Sequence, residues 1–280
     1  MILMHSYTYR TYPLKMALKK CIEYGYDGIE LQGVHYDTRN FASGLESAIS
    51  LAKRYNVAIP VVSFGTNLIA DDANERKKNI EIWKEAVCSC RKYGVKRING
   101  GVGSLVGDDP HNYGANGSAI AKERHYEMAA EGLREIAKIC ETEGIKITLE
   151  IHMNAIHDSA VSTLKLLNMD DSPFVLANPD PGNMYATPQA EEATEAIKML
   201  KGKIGYFHFK NCRKIGEICD YSWPLAGGDL DNYKIVNALY ETGYGGDMCI
   251  EYCGLGDPGI AAKEDIIYLR KLVADVLKVS

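Results

Sequence analysis

The amino-acid sequence predicts an α/β fold, a single (β/α)8 TIM barrel, and three observations support this prediction. Eight short apolar or alternating runs recur along the 280 residues, and a segment with apolar residues at three-to-four spacing follows each run. Eight such repeats close a parallel barrel, and the chain length is ordinary for that fold. The alternative, an open doubly wound sheet, usually carries Gly-x-Gly-x-x-Gly after its first strand, and that motif is absent from this sequence.

The apolar runs define the predicted strands, and the amphipathic segments define the predicted helices. The strands are predicted at 1–7, 27–32, 57–64, 95–100, 145–151, 174–178, 204–209 and 246–252. The helices are predicted at 14–24, 43–55, 73–92, 120–142, 158–168, 189–201, 231–242 and 262–278. Glycines that suit a left-handed helix cap follow five of the helices, namely Gly25, Gly94, Gly144, Gly202 and Gly243.

No linker, low-complexity tract or block of charge divides the sequence, which predicts one domain over residues 1–280. Two longer segments, 101–118 and 212–230, are rich in Gly, Asp and Asn. We expect them to be loops at the carboxyl ends of strands and candidate lids, because long loops in compact domains often carry function.

Composition narrows the class of protein. The formal net charge of −5 argues against nucleic acid or an anionic membrane as a partner. No apolar run approaches the roughly 20 residues of a membrane-spanning helix, and the apolar start is too short for a signal peptide. The eight cysteines include no Cys-x-x-Cys pair, which indicates reduced thiols and no cysteine zinc site. We therefore expect a cytoplasmic globular protein.

Polar residues stand at the predicted carboxyl ends of the strands, where barrels of this type build their active sites. These residues are Glu30, Arg97 with Asn99, Glu150 with His152, Asp180, His208 with Lys210, and Glu251. Glu150, Asp180, His208 and Glu251 follow one another on strands five to eight. Because adjacent strands lie about 5 Å apart, three carboxylates and one imidazole would converge. A divalent cation would remove their repulsion.

Each of these residues also has a simpler explanation when it is taken alone. Glu150 and Glu251 could be salt-bridge partners, and His208 could be a hydrogen-bonded core residue. Asp180 lies in "NPDPGN", whose residue types favour a turn. The order of the four, one on each of four neighbouring strands, favours the metal site. Three carboxylates and one imidazole suit Mn²⁺ best, with Mg²⁺ or Co²⁺ as alternatives, whereas zinc sites are usually richer in His or Cys.

Five ordered segments carry a resemblance to a known family. They are "GYDGIEL" (25–31), "LEIH" (149–152), "DPGN" (180–183), "HFK" (208–210) and "GGDLDNYKIVNALYETGYGGDMCIEY" (227–252). The set resembles the xylose isomerase-like TIM barrel superfamily of sugar phosphate isomerases and epimerases, which includes ketose 3-epimerases and inosose dehydratases. The resemblance implies the same four metal ligands, and it implies that His152, Asn183 and Lys210 face the substrate.

The predicted chemistry is proton transfer next to a carbonyl group. Glu150 would take a proton from one face and Glu251 would return one from the other, while the metal stabilises the enediolate oxygen. Return to the same carbon gives epimerisation, and return to its neighbour gives an aldose–ketose shift. Lys210 and Arg213 could orient substrate oxygens, or they could be solvated loop charges, and His152 could move a hydroxyl proton.

The expected substrate is an uncharged sugar or cyclitol, because Asp229 and Asp231 put negative charge where such barrels often bind phosphate. One alternative is a lyase, either a dehydratase or a C-glycoside-cleaving catalytic subunit, with His152 as base and a second subunit as a possible partner. A DNA-repair endonuclease would need more than the seven histidines present and a basic face. A non-catalytic sugar-binding or assembly subunit is a further alternative, and the 18 tyrosines are compatible with a homo-oligomer interface.

Overall fold

The computed structural model describes residues 1–216 and 218–279. Within these ranges, eight short parallel strands form a nearly closed barrel: β1 (Ile2–His5), β2 (Ile29–Leu31), β3 (Val61–Ser63), β4 (Arg97–Gly100), β5 (Lys146–Glu150), β6 (Val175–Asn178), β7 (Phe207–Phe209) and β10 (Met248–Ile250). A separate antiparallel hairpin consists of β8 (Arg213–Ile215) and β9 (Ile218–Asp220). The predicted fold class is confirmed.

Helices surround the barrel. They are α1 (Leu14–Tyr24), α2 (Phe41–Arg54), α3 (Ala73–Tyr93), α4 (Glu123–Glu143), α5 (Ala160–Asp170), α6 (Pro181–Ala186), α7 (Ala193–Met199), α8 (Asn232–Glu241) and α9 (Gly259–Val279). Every predicted strand and helix overlaps an observed one. The short helix α6 and the β8–β9 hairpin were not predicted, because their sequences consist largely of turn-forming or charged residues. No helix in the described ranges combines the length and the apolar character needed to cross a membrane.

The order of the strands brings all their carboxyl ends to one face. The ladder runs β6-β5-β4-β3-β2-β1-β10-β7, and every pair in it is parallel. The seam between β6 and β7 is held by the Gly205 N–H donating to Ala177 O (2.9 Å) and the His208 N–H donating to Pro179 O (3.1 Å). Residues that are far apart in sequence therefore meet at the mouth of the barrel.

Local sequence sets where the helices begin and end. Asp72 caps α3 through the Asn74 N–H (2.9 Å), and Asp231 caps α8 through the Lys234 N–H (3.2 Å). Such caps satisfy amide groups that have no partner within the helix and are worth about 1 kcal/mol each. The five predicted cap glycines all have positive φ, between 66° and 80°, which only glycine adopts at little cost.

The two long loops are each held by an aspartate side chain, which is buried in the first case and exposed in the second. In segment 101–118, the Ser118 N–H and Gln189 Nε2 both donate to Asp158 Oδ2, at 3.1 and 2.8 Å. In segment 212–230, the Lys214 N–H donates to Asp229 Oδ2 at 2.8 Å. Both loops are anchored in this way, and a lid function for them stays a prediction.

Arg97 does not lie at the site face, so its predicted position beside Asn99 at that face is wrong. Arg97 is the first residue of β4, and its Nη1 lies 3.3 Å from Asp247 Oδ2, just before β10 begins. The strand is shorter than predicted, and Arg97 lies two positions before Asn99 along it. Arg97 therefore lies at the amino-terminal end of the strands.

Asp265 on α9 is a buried carboxyl group that holds segment 212–230 at Leu225. Its Oδ1 accepts the Leu225 N–H at 2.7 Å. Burial raises the pKa of Asp265 to about 7, although the hydrogen bond from Leu225 opposes the shift. The folded chain therefore binds this proton more tightly than the unfolded chain, and folding stability is lost as the pH rises from about 4 through about 7.

We expect Asp265→Asn to remove this pH-dependent loss, because the amide oxygen still accepts the Leu225 N–H and carries no charge. Each pKa unit corresponds to about 1.4 kcal/mol of unfolding free energy. Urea unfolding at several pH values between 4 and 8 measures the difference. Asp275→Asn, which changes a half-exposed carboxyl group on the same helix, is the control. Parallel pH profiles for the Asp265 variant and the original chain would contradict the assignment.

Candidate metal centre

Four predicted ligands meet at the mouth of the barrel. Glu150 ends β5, Asp180 follows β6, His208 lies in β7 and Glu251 follows β10. One donor atom from each side chain lies within 4.8 Å of the others. His208 Nδ1 is 3.7 Å from Glu150 Oε1, 3.7 Å from Asp180 Oδ2 and 3.9 Å from Glu251 Oε2. These distances are too long for hydrogen bonds and leave room for an ion between the four ligand atoms.

The unsatisfied atoms of the cluster fit a bound cation. Among the residues that the structure describes, His208 Nδ1, Asp180 Oδ2 and Glu251 Oε2 are buried and make no hydrogen bond of acceptable geometry. Buried polar atoms without partners are costly. Lys210 Nζ lies 3.0 Å from Asp180 Oδ2 and 2.6 Å from Glu251 Oε2 and offsets part of their charge. Three carboxylates and one imidazole could hold Mn²⁺ or Mg²⁺, which prefer oxygen-rich sites.

The charges of neighbouring groups keep the buried carboxylates ionised. Burial would raise the pKa of Glu251, but the charges of Lys210 and His5 outweigh it and hold that pKa well below its usual range. Burial would also raise the pKa of Asp180, but the charge of Lys210 opposes it and the pKa of Asp180 is lowered. Both carboxylates can therefore act as anionic ligands at neutral pH.

Glu30 fixes the orientation of His208. Glu30 is fully buried at the end of β2, and its Oε2 lies 2.8 Å from His208 Nε2. The charges of His208 and His5 outweigh burial and hold the pKa of Glu30 well below its usual range, so its carboxylate can only accept. Nε2 therefore carries a proton toward Glu30, and Nδ1 faces the other three ligand side chains. Sequence reasoning placed Glu30 at this face but gave it no role.

His5 was not recognised from the sequence. It ends β1, with Nδ1 3.1 Å from Glu251 Oε1 and Nε2 3.2 Å from Ser63 Oγ. Ser63 Oγ in turn donates to Glu30 Oε1 at 2.8 Å. His5 thus links Glu251 to the residues that hold His208. The available signal was its position at the carboxyl end of the run "MILMHSY", which is equivalent to that of Glu150 in its own strand.

Asn99 links residues of several strands next to the cluster through its amide side chain. Its Nδ2 donates to Glu30 Oε1 (2.9 Å) and Glu150 Oε2 (3.1 Å), and its Oδ1 accepts from Thr148 Oγ1 (3.0 Å) and Asn178 Nδ2 (2.9 Å). One amide side chain therefore joins β2, β4, β5 and β6. A network in which each of these groups has a partner favours a single arrangement of the carboxylates.

Asp180 has two structural contacts. Its Oδ1 accepts the Asn183 N–H at 3.0 Å and caps α6, while Oδ2 faces the cluster. Asn183 Nδ2 donates to Glu150 Oε1 (3.2 Å), and Lys210 Nζ donates to Asn183 Oδ1 (2.9 Å). The predicted substrate-facing residues Asn183 and Lys210 are therefore placed beside the ligands.

The other two predicted substrate-facing residues lie farther out. His152 is exposed on the rim of the cleft, where its Nδ1 donates to Met153 O at 3.0 Å. Arg213 is exposed on the β8–β9 hairpin, where its Nε donates to Gly227 O (2.9 Å) and its guanidinium lies 3.8 Å from the Trp223 ring centre. The structure does not bring Arg213 to the cluster, and a role in substrate binding stays a prediction for both residues.

A cleft with a volume of about 890 Å³ opens from the cluster. Its inner wall includes His5, Asn99, Glu150 and Glu251. From there it extends over the loops that follow β2 and β3 as far as α3. Volumes of this size are typical of sites for small organic ligands. A ligand in the cleft would therefore reach both Glu150 and Glu251.

The chain is similar in sequence to curated proteins and in structure to solved proteins. The chain is 23% identical over 175 residues to inosose dehydratase of Clostridium perfringens, and the match covers 57% of this chain and 58% of that protein. The chain thus spans a little over half the length of this curated relative. D-allulose 3-epimerase from Methylomonas sp. has a similar structure, with a TM-score of 0.78, 16% identity and 97% of each chain covered.

A third similar protein is a xylose isomerase-like TIM barrel protein from Mycobacterium smegmatis, whose structure was solved in complex with magnesium. Its TM-score is 0.77 at 19% identity, and the alignment covers 99% of this chain and 97% of that one. At these identities the structural matches show a shared fold. The family described as "Xylose isomerase-like TIM barrel" matches residues 18–272, which is most of the sequence. The chain belongs to the xylose isomerase-like TIM barrel family.

Proposed function

We propose that this protein is a divalent-metal-dependent isomerase or epimerase of an uncharged sugar or cyclitol, which works by proton transfer next to a carbonyl group. The observation that carries the proposal is the convergence of Glu150, Asp180, His208 and Glu251, of which Glu150 and Glu251 line an open cleft. The relatives named as an inosose dehydratase and a D-allulose 3-epimerase support a cyclitol or sugar as the substrate class.

Each protein group has a distinct task in this proposal. A divalent cation held by the four ligands would polarise the substrate carbonyl and stabilise the oxygen charge that develops. The Glu150 carboxylate accepts the proton from the carbon next to the carbonyl, and Glu251 delivers to the other face a proton that it takes up from solvent in the cleft. Glu150 then releases its proton to solvent, which restores both carboxylates. Asn183 and Lys210 orient substrate oxygens, and His152 moves a hydroxyl proton at the rim. Arg213 would need the hairpin to approach the cleft before it could contact a substrate.

The donor set supports Mn²⁺ as the metal, with Mg²⁺ and Co²⁺ as alternatives. Carboxylate-rich sites with one imidazole suit these ions, and the similar protein from Mycobacterium smegmatis is a magnesium complex. Removal of the ion would leave the buried carboxylates with Lys210 and the imidazoles of His5 and His208 as their positively charged neighbours. A chain without catalytic function would gain nothing from burying them in this way.

A lyase is the second candidate. One curated relative is named as an inosose dehydratase, and His152 is exposed at the rim of the cleft, where a base for elimination would be accessible. Both reactions begin with loss of the proton next to the carbonyl, with Glu150 as the base in the isomerase and His152 as the base in the lyase. The product separates them, since an isomer indicates an isomerase or epimerase and an unsaturated product indicates a lyase.

Glu150→Gln should abolish most of the exchange of the substrate carbon-bound proton with solvent. We expect a loss of about 100-fold or more, because an amide cannot act as general base. The measurement is deuterium uptake by NMR in D₂O, with Mn²⁺ present and a panel of ketoses, inososes and 3-oxo-glycosides. Glu127→Gln, on the exposed side of α4, should exchange at the original rate. Equal exchange by the Glu150 variant would exclude Glu150 as the base.

Glu30→Gln should weaken metal binding although Glu30 is not itself a predicted ligand. The amide can donate to His208 Nε2, which favours the tautomer with its proton on the coordinating Nδ1. Loss of such a partner typically costs about 10- to 100-fold in metal affinity. The dissociation constant is measured from the EPR signal of free Mn²⁺, and ¹⁵N NMR of the imidazole reports the tautomer. Glu131→Gln, an exposed change on α4, is the control, and unchanged Mn²⁺ affinity in the Glu30 variant would refute this role.

A further inference from the structure

Three separate parts of the chain meet at one buried carboxylate outside the metal centre. Asp158 lies just before α5 and is inaccessible to solvent. Its Oδ2 accepts the Ser118 N–H from segment 101–118 at 3.1 Å, and it accepts Gln189 Nε2 from the connection between α6 and α7 at 2.8 Å. Gln189 Nε2 also donates to the carbonyl oxygen of Tyr113 at 3.1 Å. Asp158 is therefore the point at which these segments are joined.

The negative charge of Asp158 is not balanced by a neighbouring positive charge. Burial raises the pKa of Asp158, and the interactions that oppose this shift are hydrogen bonds, chiefly from Ser118 and Gln189. The adjacent His157 is also buried, and burial lowers its pKa to about 4, so His157 is neutral at pH 7. A buried carboxylate without a counter-charge is costly, and either a cation or a bound proton removes that cost.

Other oxygen atoms without hydrogen-bond donors lie near this carboxylate. Among the residues that the structure describes, Asp158 Oδ1, Gln189 Oε1 and Asn154 Oδ1 are buried and have no hydrogen-bond partner. Gly117 shows how closely the segments approach, because a Cβ atom at this position would collide with Asp158 Oδ2 and with the carbonyl oxygen of Ala155. The same Cβ atom would also meet the carbonyl carbon of Asn154. The region is therefore rich in oxygen acceptors and short of donors.

We propose that these oxygens form a binding site for an alkali-metal cation, Na⁺ or K⁺, with Asp158 as its charged ligand and Gln189 and Asn154 as neutral ligands. Oxygen-only donor sets select hard cations. One carboxylate balances one positive charge, whereas Ca²⁺ sites such as the EF-hand loop use several carboxylates. The cation would satisfy the oxygens that have no donor and would neutralise the buried charge of Asp158.

The cation would join two loops at the carboxyl ends of neighbouring strands. Segment 101–118 follows β4, and segment 152–158 follows β5. The Leu105 N–H donates to Asn154 O at 2.9 Å, so the two loops are already in backbone contact. Segment 152–158 begins with His152 at the rim of the cleft. The cation would stabilise the position of this residue without taking part in any proton transfer, so the site is independent of the proposed sugar chemistry.

The test is amide hydrogen exchange of the full chain in NaCl, KCl or choline chloride at equal ionic strength, with Mn²⁺ present throughout so that the four-ligand centre is in one state. The protection factor of the Ser118 amide should be about tenfold higher in NaCl or KCl, at a cation concentration about ten times the dissociation constant, than in choline chloride. Asp158→Asn should remove this difference, because the amide keeps the shape of the side chain without its charge. Asp108→Asn, an exposed change in the same segment, is the matched control and should preserve the difference.

A second variant covers the case in which the Asp158 variant does not fold. Gln189→Met removes one neutral ligand and leaves the charge of Asp158, and it should reduce the difference between KCl or NaCl and choline chloride. Equal protection of the Ser118 amide in all three salts would refute the cation site. In that case a protection factor that decreases as the pH rises would show that Asp158 holds a proton in place of a cation.

Discussion

The structure of the site depends on the burial of four carboxyl groups at the mouth of one barrel. Glu30, Asp180 and Glu251 are almost inaccessible to solvent, and Glu150 lies beside them. Such a group of like charges is stable only when cations and hydrogen-bond donors face it. Lys210 and the imidazoles of His5 and His208 supply positive charge and hydrogen-bond donors. The remaining excess of negative charge is what a divalent cation would balance, so electrostatics, barrel geometry and proposed chemistry lead to the same requirement.

Closure of the barrel is what brings these charges together. Glu30 and His208 are 178 residues apart in sequence and 2.8 Å apart in space. Their contact depends on the order of the ladder, in which β7 joins β10, β10 joins β1, and β1 joins β2. No local segment contains the site, because each ligand comes from a different strand. The apolar burial that closes the barrel must therefore provide the free energy for bringing like charges together.

The sequence predicted the parts of the structure that depend on periodicity. Strand ends follow from apolar runs, and the strand order of a parallel barrel then places Glu150, Asp180, His208 and Glu251 side by side. It did not predict features that depend on the exact first residue of a strand or on side-chain contacts. Arg97 was assigned to the wrong end because β4 starts later than its apolar run, and His5 was overlooked because a single histidine in an apolar run usually needs no special role. The contacts of Arg213 with Trp223 and Gly227 join a hairpin that no pattern indicated to the loop that follows it.

The shared carboxylate of Asp180 couples the site to the backbone around it. One of its oxygens faces the other ligands, and the other holds the first turn of α6. Metal binding and local unfolding of α6 are therefore thermodynamically linked, because the Asp180 side chain takes part in both. Asn183 lies in that turn and contacts Glu150 and Lys210, so fraying of α6 would release a substrate-facing amide as well as a helix cap. A bound ion would therefore stabilise α6. Slower amide hydrogen exchange in α6 would report metal binding in the absence of any substrate.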